Sequence, residues 1–319
     1  MSILGDRILA QRKISCVPLA KIPAPDFDLA MTLGSGQVFH WEKLGDSFMG
    51  AIGDRPVYVE QRGDSLLVGG DCEDLVRTYF ALDHPLSDIC ASFPDDAVMS
   101  AAKEFCRGLR IIRQPKWECL ATFICSSMKQ VAHIRQISGK LRELLGEPRK
   151  IDPPSLGYGA AGTHIVLTFP TADRVAESSE KELRKCALGY RAKNLLATAR
   201  LVASGDVDLE KLAALTDVDL RARLCELPGV GAKVANCVML FAYERLRAFP
   251  IDVWIERVLR EKYFPRARKL NTARLRAFTE GYFGDHGGYA QQYLFHHARM
   301  NRTKTTRKSG SFVTISGVR

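Results

Sequence analysis

The chain has 319 residues, 46% of them hydrophobic and 26% charged, an ordinary globular composition that excludes extensive disorder and leaves room for two cooperating domains. Its net charge of +10 and pI of about 9.2 point to a polyanionic partner, because each Lys or Arg set against a phosphate releases condensed counterions. Nine cysteines without a CxxC pair suggest neither a disulfide framework nor a zinc ribbon, and the longest apolar run, 234–243, is broken by Asn236 and falls well short of the roughly 20 residues of a bilayer span.

In chain order, the first stretch carries Asp6, Arg7, Arg12 and Lys13 and has no apolar core followed by a cleavage site, so an intracellular protein is expected. Four short β-prone stretches follow, at 38–41, 47–49, 56–59 and 65–68, divided by Gly45-Asp46, Gly53-Asp54 and Gly63-Asp64. This pattern predicts an antiparallel meander. From Asp74 apolar residues fall at helical spacing, as with Val98, Ala101, Phe105 and Leu109, and then with Ile134, Leu141 and Leu145. The Pro- and Gly-rich stretch 147–162 reads as a long loop, and Ser179 with Glu182 forms a capping box for the next helix. The fold class is therefore α+β: an N-terminal β-rich domain over 1–112, a mostly helical domain over 113–300 and a basic, flexible tail over 301–319. A groove between the two domains is a natural pocket.

The chemistry centres on residues 217–252. Leu220, Leu224 and Leu227 predict one helix, Pro228-Gly229-Val230-Gly231 breaks it, and helical spacing resumes over 232–243. Two helices joined by such a glycine hairpin can grip a phosphate with the backbone N–H groups of Gly229, Val230 and Gly231, without reading sequence. An ordinary tight turn has the same pattern. Lys233 follows the hairpin directly, and Asp252 comes nineteen residues later, before a helix over 253–263. Taken singly, Lys233 fits a solvated first-turn lysine and Asp252 an N-cap.

Together the hairpin, Lys233 and Asp252 resemble the helix-hairpin-helix DNA glycosylase superfamily, and further segments resemble its 8-oxoguanine glycosylase branch. These are Leu33-Gly34-Ser35-Gly36-Gln37-Val38-Phe39-His40-Trp41, Cys125-Ser126-Ser127, Leu188-Gly189-Tyr190-Arg191-Ala192-Lys193 and Tyr289-Ala290-Gln291-Gln292-Tyr293-Leu294-Phe295. The resemblance implies excision of 8-oxoguanine from double-stranded DNA together with an AP lyase step. Lys233 would be the nucleophile and Asp252 the electrostatic partner. A base flipped out of the stack would meet the Gly36 carbonyl at its N7–H, Gln291 at its Watson–Crick edge, and Phe295 and Cys237 on its two faces. Tyr190 would act as a wedge, and Arg191 would bond the orphaned partner base.

Two departures qualify the resemblance. Where better-known members carry three asparagines and then an arginine, this chain has Met128-Lys129-Gln130-Val131-Ala132-His133. Met128 cannot hydrogen-bond a base edge and His133 is shorter than arginine, so a relaxed choice of opposite base is expected. Trp254 stands where the family carries a histidine near a phosphate contact. No cofactor or metal is expected, and no iron–sulfur cluster, since no cysteine follows Cys237; a monomer is expected. The competing readings are an alkylated-base glycosylase of the same superfamily, which would need no lysine, and a non-enzymatic helix-hairpin-helix DNA-binding protein.

Overall fold

The structure, a computed structural model, describes residues 19–69, 71–151 and 163–309. An antiparallel sheet comes first. Strands β1 (Leu19–Pro23), β2 (Glu42–Leu44), β3 (Ser47–Ile52), β4 (Arg55–Arg62) and β5 (Ser65–Gly69) are ordered β1-β5-β4-β3-β2. The three Gly-Asp turns close the β2–β3, β3–β4 and β4–β5 hairpins as the sequence predicts. Helix α1 (Leu29–Gly34) starts on an Asp28 cap and packs with α2 (Glu73–Tyr79) over Val57, Val59, Leu66 and Val68 of the sheet.

The remaining helices build a larger core. They are α3 (Leu86–Ala91), α4 (Ala97–Phe105), α5 (Lys116–Cys125), α6 (Val131–Leu145), α7 (Ala172–Ala176), α8 (Glu180–Lys185), α9 (Arg191–Ala203), α10 (Asp217–Cys225), α11 (Ala232–Ala242), α12 (Val253–Val258), α13 (Thr272–Tyr282) and α14 (Gly287–Ser309). At its centre, α5 and α11 bury nearly every side chain, which explains their almost unbroken apolar sequence. The capping box at Ser179 and Glu182 forms as predicted.

Three expectations need correction. Residues 38–41 are not a strand: the ladder with β3 begins only at Glu42, opposite Met49, and the segment is held by its side chains, with Val38 and Trp41 in the sheet core and Phe39 against Phe123 of the helices. The stretch 147–162 is not simply a loop, because β6 (Pro148–Ile151) pairs antiparallel with β7 (His164–Leu167); residues 152–162 lie outside the described residues. Finally, α14 continues to Ser309 through the first part of the segment expected as a flexible tail, whose remainder lies outside the described residues.

Buried amides stitch the sheet domain to the helices. Gln37 donates through Nε2 to the Arg110 carbonyl at 2.8 Å and accepts the Ile112 N–H at 2.8 Å, while Gln114 donates to the Gln37 carbonyl at 2.8 Å. Deeper still, Glu118 of α5 lies between Arg142 of α6 and His40, whose Nδ1 is 3.3 Å from Glu118 Oε1. Burial and the nearby Arg142 charge hold His40 well below its ordinary pKa, and its single N–H, on Nε2, is given to the Ala51 carbonyl at 2.8 Å, so at neutral pH the ion-pair partner of Glu118 is Arg142 and not His40.

Candidate active site

The hairpin positions the lysine. Leu224 and Leu227 anchor the end of α10 in the core, and Gly229 turns the chain at φ +83°, a conformation that side chains resist. A Cβ there would also stand 2.8 Å from Asn194 Cβ. Thr198 donates to the Pro228 carbonyl at 3.0 Å, which ties the hairpin to α9. Gly231 caps α11 without any side chain over the first-turn N–H groups, leaving them to an anion. Val230 does not serve there as expected. Its side chain is buried and its N–H is bonded to the Leu227 carbonyl at 3.0 Å, so its part in the hairpin is apolar anchoring.

Lys233 leaves the first turn of α11 and points back toward α5. It is half-buried, donates to Ser126 Oγ at 3.2 Å and holds its ammonium 5.1 Å from the Phe123 ring centroid. One turn further, Cys237 is buried, and burial pushes its thiol up to about 11. It is therefore a neutral packing surface beside Lys233, not a thiolate counterion. Asp252 accepts the Ile255 N–H at 2.9 Å as the N-cap of α12. Burial raises its carboxyl above the ordinary carboxylate range, against the pull of the Ile255 N–H and the Lys233 charge.

A single cleft unites these groups. Lys233, Cys237 and Asp252 share its wall with Gly36 from the loop after α1 and with Gln291 and Phe295 from α14. Gln291 is buried, and its Oε1 has no hydrogen-bond partner among the described residues, an acceptor left for something that enters the cleft. Gly36 has φ +93°, and a Cβ there would lie 3.2 Å from Phe295 Cε1, so no side chain fits between the loop and the ring. Phe39, Phe123, Ser126 and Trp254 also line the cleft. Phe39 and Phe123 carry no polar pattern that marks them in the sequence.

The residues expected at the DNA groove form a separate group. Met128 is 93% exposed at φ +53°, Tyr190 is 57% exposed, and His133 is exposed. Arg191 turns inward instead of reaching out. It is buried, donates through Nε to the Ser127 carbonyl at 2.8 Å and lies 4.4 Å from the Tyr190 ring centroid. The carbonyls after the end of α5 have no helical partner, and this guanidinium supplies one. In this state Arg191 steadies the loop that presents Met128.

A glycine hairpin under a half-buried lysine, with a capping carboxylate across a cleft of aromatic and amide groups, is the arrangement of a helix-hairpin-helix DNA glycosylase. Residues 20–120 match the family model of the 8-oxoguanine DNA glycosylase N-terminal domain, and residues 121–281 that of the HhH-GPD superfamily base excision DNA repair proteins. The chain is 30% identical over 296 residues to the N-glycosylase/DNA lyase OGG1 of Arabidopsis thaliana, covering 86% of this chain and 78% of that one. It is 29% identical over 304 residues to a probable N-glycosylase/DNA lyase of Methanothermobacter thermautotrophicus, covering 88% and 96%. The fold superposes on the Clostridium acetobutylicum 8-oxoguanine glycosylase/lyase bound to double-stranded DNA with cytosine opposite 8-oxoG, with a TM-score of 0.80, 27% identity and coverage of 90% and 99%. The chain thus belongs to the HhH-GPD superfamily of base excision DNA repair proteins, with an 8-oxoguanine glycosylase N-terminal domain ahead of the helical one.

Proposed function

We propose that this chain excises 8-oxoguanine from duplex DNA and then nicks the strand as an AP lyase. The observation that carries the reading is the convergence of Lys233, Asp252, Cys237, Gln291, Phe295 and Gly36 on one cleft. With the lesion turned into it, the Lys233 ammonium passes a proton to the departing base, and the freed amine attacks C1′ as the bond from C1′ to the base nitrogen breaks and the base leaves with that electron pair. Positive character on the sugar is stabilised by the Asp252 carboxylate, whose field acts strongly in a half-buried site. The amine, now joined to C1′, opens the sugar to a Schiff base; loss of a C2′ proton then expels the 3′ phosphate. Cys237 and Phe295 would hold the two faces of the base, and Gln291 Oε1 would receive a donor from its edge. An N7–H, present in 8-oxoguanine and absent from guanine, would satisfy the Gly36 carbonyl. Guanine would leave that oxygen unpaired, at about 1–3 kcal/mol.

Duplex DNA is the partner of the solved relative, and the uncapped start of α11 together with the net charge of +10 supports the same partner here. We infer a monomer that acts without an iron–sulfur cluster. Borohydride trapping on an 8-oxoguanine duplex tests the chemistry: the wild type is expected to give a covalent adduct that Lys233→Gln abolishes. An adduct that survives the substitution excludes Lys233 as the nucleophile.

A further inference from the structure

Helix α14 presents two neighbouring stripes. Gln291 and Phe295 line the cleft, and Gln292, which also borders it, grips the backbone of residues 34–36 together with His296 and Arg299, at i, i+4 and i+7. Gln292 Nε2 donates to the Ser35 carbonyl at 3.1 Å, Arg299 Nη2 donates to the Gly34 carbonyl at 2.5 Å, and His296 is hydrogen-bonded to the Ser35 backbone. Arg299 also lies 3.1 Å from His296 Nδ1. A guanidinium only donates, so that nitrogen carries the lone pair and His296 is the neutral Nε2–H tautomer. Burial and the Arg299 charge agree, holding His296 down at about 4.

The same guanidinium reaches two further parts of the cleft. Its carbon lies 5.6 Å from the Phe295 ring centroid, and its Nη1 lies 3.0 Å from where a Cβ on Gly36 would stand. One side chain therefore touches the carbonyl of Gly34, the open face of Gly36 and the Phe295 ring. These surfaces set how far the Gly36 carbonyl stands from the plane in which a base stacks.

We propose that Arg299 is a positioning residue that sets the preference for 8-oxoguanine over guanine, by fixing residues 34–36 against α14 so that the Gly36 carbonyl and the Phe295 ring keep one spacing. The inference rests on the substrate reading given above. The two bases differ at this carbonyl by a single N–H, and a hydrogen bond weakens rapidly outside about 2.7–3.2 Å. Displacement by about 1 Å is enough to cost a hundredfold in rate. Gln292 and His296 reach the loop at Ser35, whereas Arg299 contacts both the loop, at Gly34, and the Phe295 ring.

Single-turnover excision by the full chain, with Arg299→Ala and Arg299→Lys beside the wild type, tests the proposal on one 8-oxoguanine duplex. With rates normalised to borohydride-titrated active sites, Arg299→Ala is expected to lower the saturating rate constant at least about tenfold while the half-saturating DNA concentration stays within about threefold. Arg299→Lys, with a donor but no plane, falls between, and millimolar guanidinium ion restores part of the loss in Arg299→Ala. The affinity ratio of 8-oxoguanine to undamaged duplex falls in the same order. A loss confined to the half-saturating concentration, with a shallower salt dependence, makes Arg299 a phosphate contact and overturns the proposal. So does a loss that disappears on normalisation, which is a folding role. An unchanged Arg299→Ala beside an active wild type overturns this inference alone, whereas an inert wild type overturns the substrate reading and this inference with it.

Discussion

Asp252 performs two tasks that one substitution separates. Its carboxyl caps α12 and also faces the cleft. Asn accepts the same Ile255 N–H, so Asp252→Asn retains the cap while removing the charge. The expected outcome is a folded protein whose excision rate falls by about 10² or more, measured under single turnover. Burial raises this carboxyl, and the ionised form is the one that stabilises a cationic sugar. Wild-type activity should therefore decline as pH falls through a value above the ordinary carboxylate range, and the pH–rate profile of Asp252→Asn should lack that acid limb. The groove residues make a second prediction. Met128 stands fully exposed with no polar group to read a base edge, and Arg191 is occupied by Ser127. Excision opposite each of the four bases should differ by less than about the tenfold that one good base contact provides; exclusive action opposite cytosine would contradict it. Lys233, Asp252 and the pocket residues were legible through their motifs. The inward turn of Arg191 was not, because it depends on carbonyls left open at the end of another helix.

Among the elements, the hairpin is the most constrained by local chemistry. Gly229→Ala would place a methyl group 2.8 Å from Asn194 Cβ in a backbone conformation that alanine resists, at a cost of about 1–3 kcal/mol. A drop of that size in denaturant unfolding, with a steeper loss of affinity for undamaged duplex, is expected; an unchanged midpoint would show that α9 yields. Elements that announce themselves locally were readable from the sequence: the Gly-Asp hairpins, the box at Ser179, the cap at Asp252 and the break at residues 228–231. Segments defined by distant partners were not. Residues 38–41 have β-prone side chains, yet Trp41 enters the sheet core while Phe39, two residues before it, lies edge-on to Phe123 of the helical core, so the backbone cannot keep strand alternation. Strand β1 is recognisable only from its pairing with β5, and β6 only from β7 beyond the intervening stretch.

At the scale of the whole molecule, the junction between sheet and helices is polar and deeply buried. Arg142 neutralises Glu118 between α5 and α6 and also donates to the Leu167 carbonyl at 2.8 Å. Replacing Arg142 by Met strands a buried carboxylate and should destabilise the fold by about 3–5 kcal/mol in urea unfolding at neutral pH. Adding Glu118→Gln should recover a large part of that loss, and a simple sum of the two effects would show that the pair is not coupled. The passage from strands to helices was readable from the change of periodicity at Asp74. The join was not, since Gln37, Gln114 and Glu118 look like ordinary surface residues in the sequence. The same architecture has a consequence for synthesis. The cleft takes Gly36 from one end of the chain and Gln291 and Phe295 from the other. During translation the hairpin and Lys233 leave the ribosome before Gln291 and Phe295 are made, so a chain that stops before Gly287 lacks one wall of the cleft and the core side chains Tyr289, Tyr293 and Leu294 with it, and the cleft closes only with the last helix.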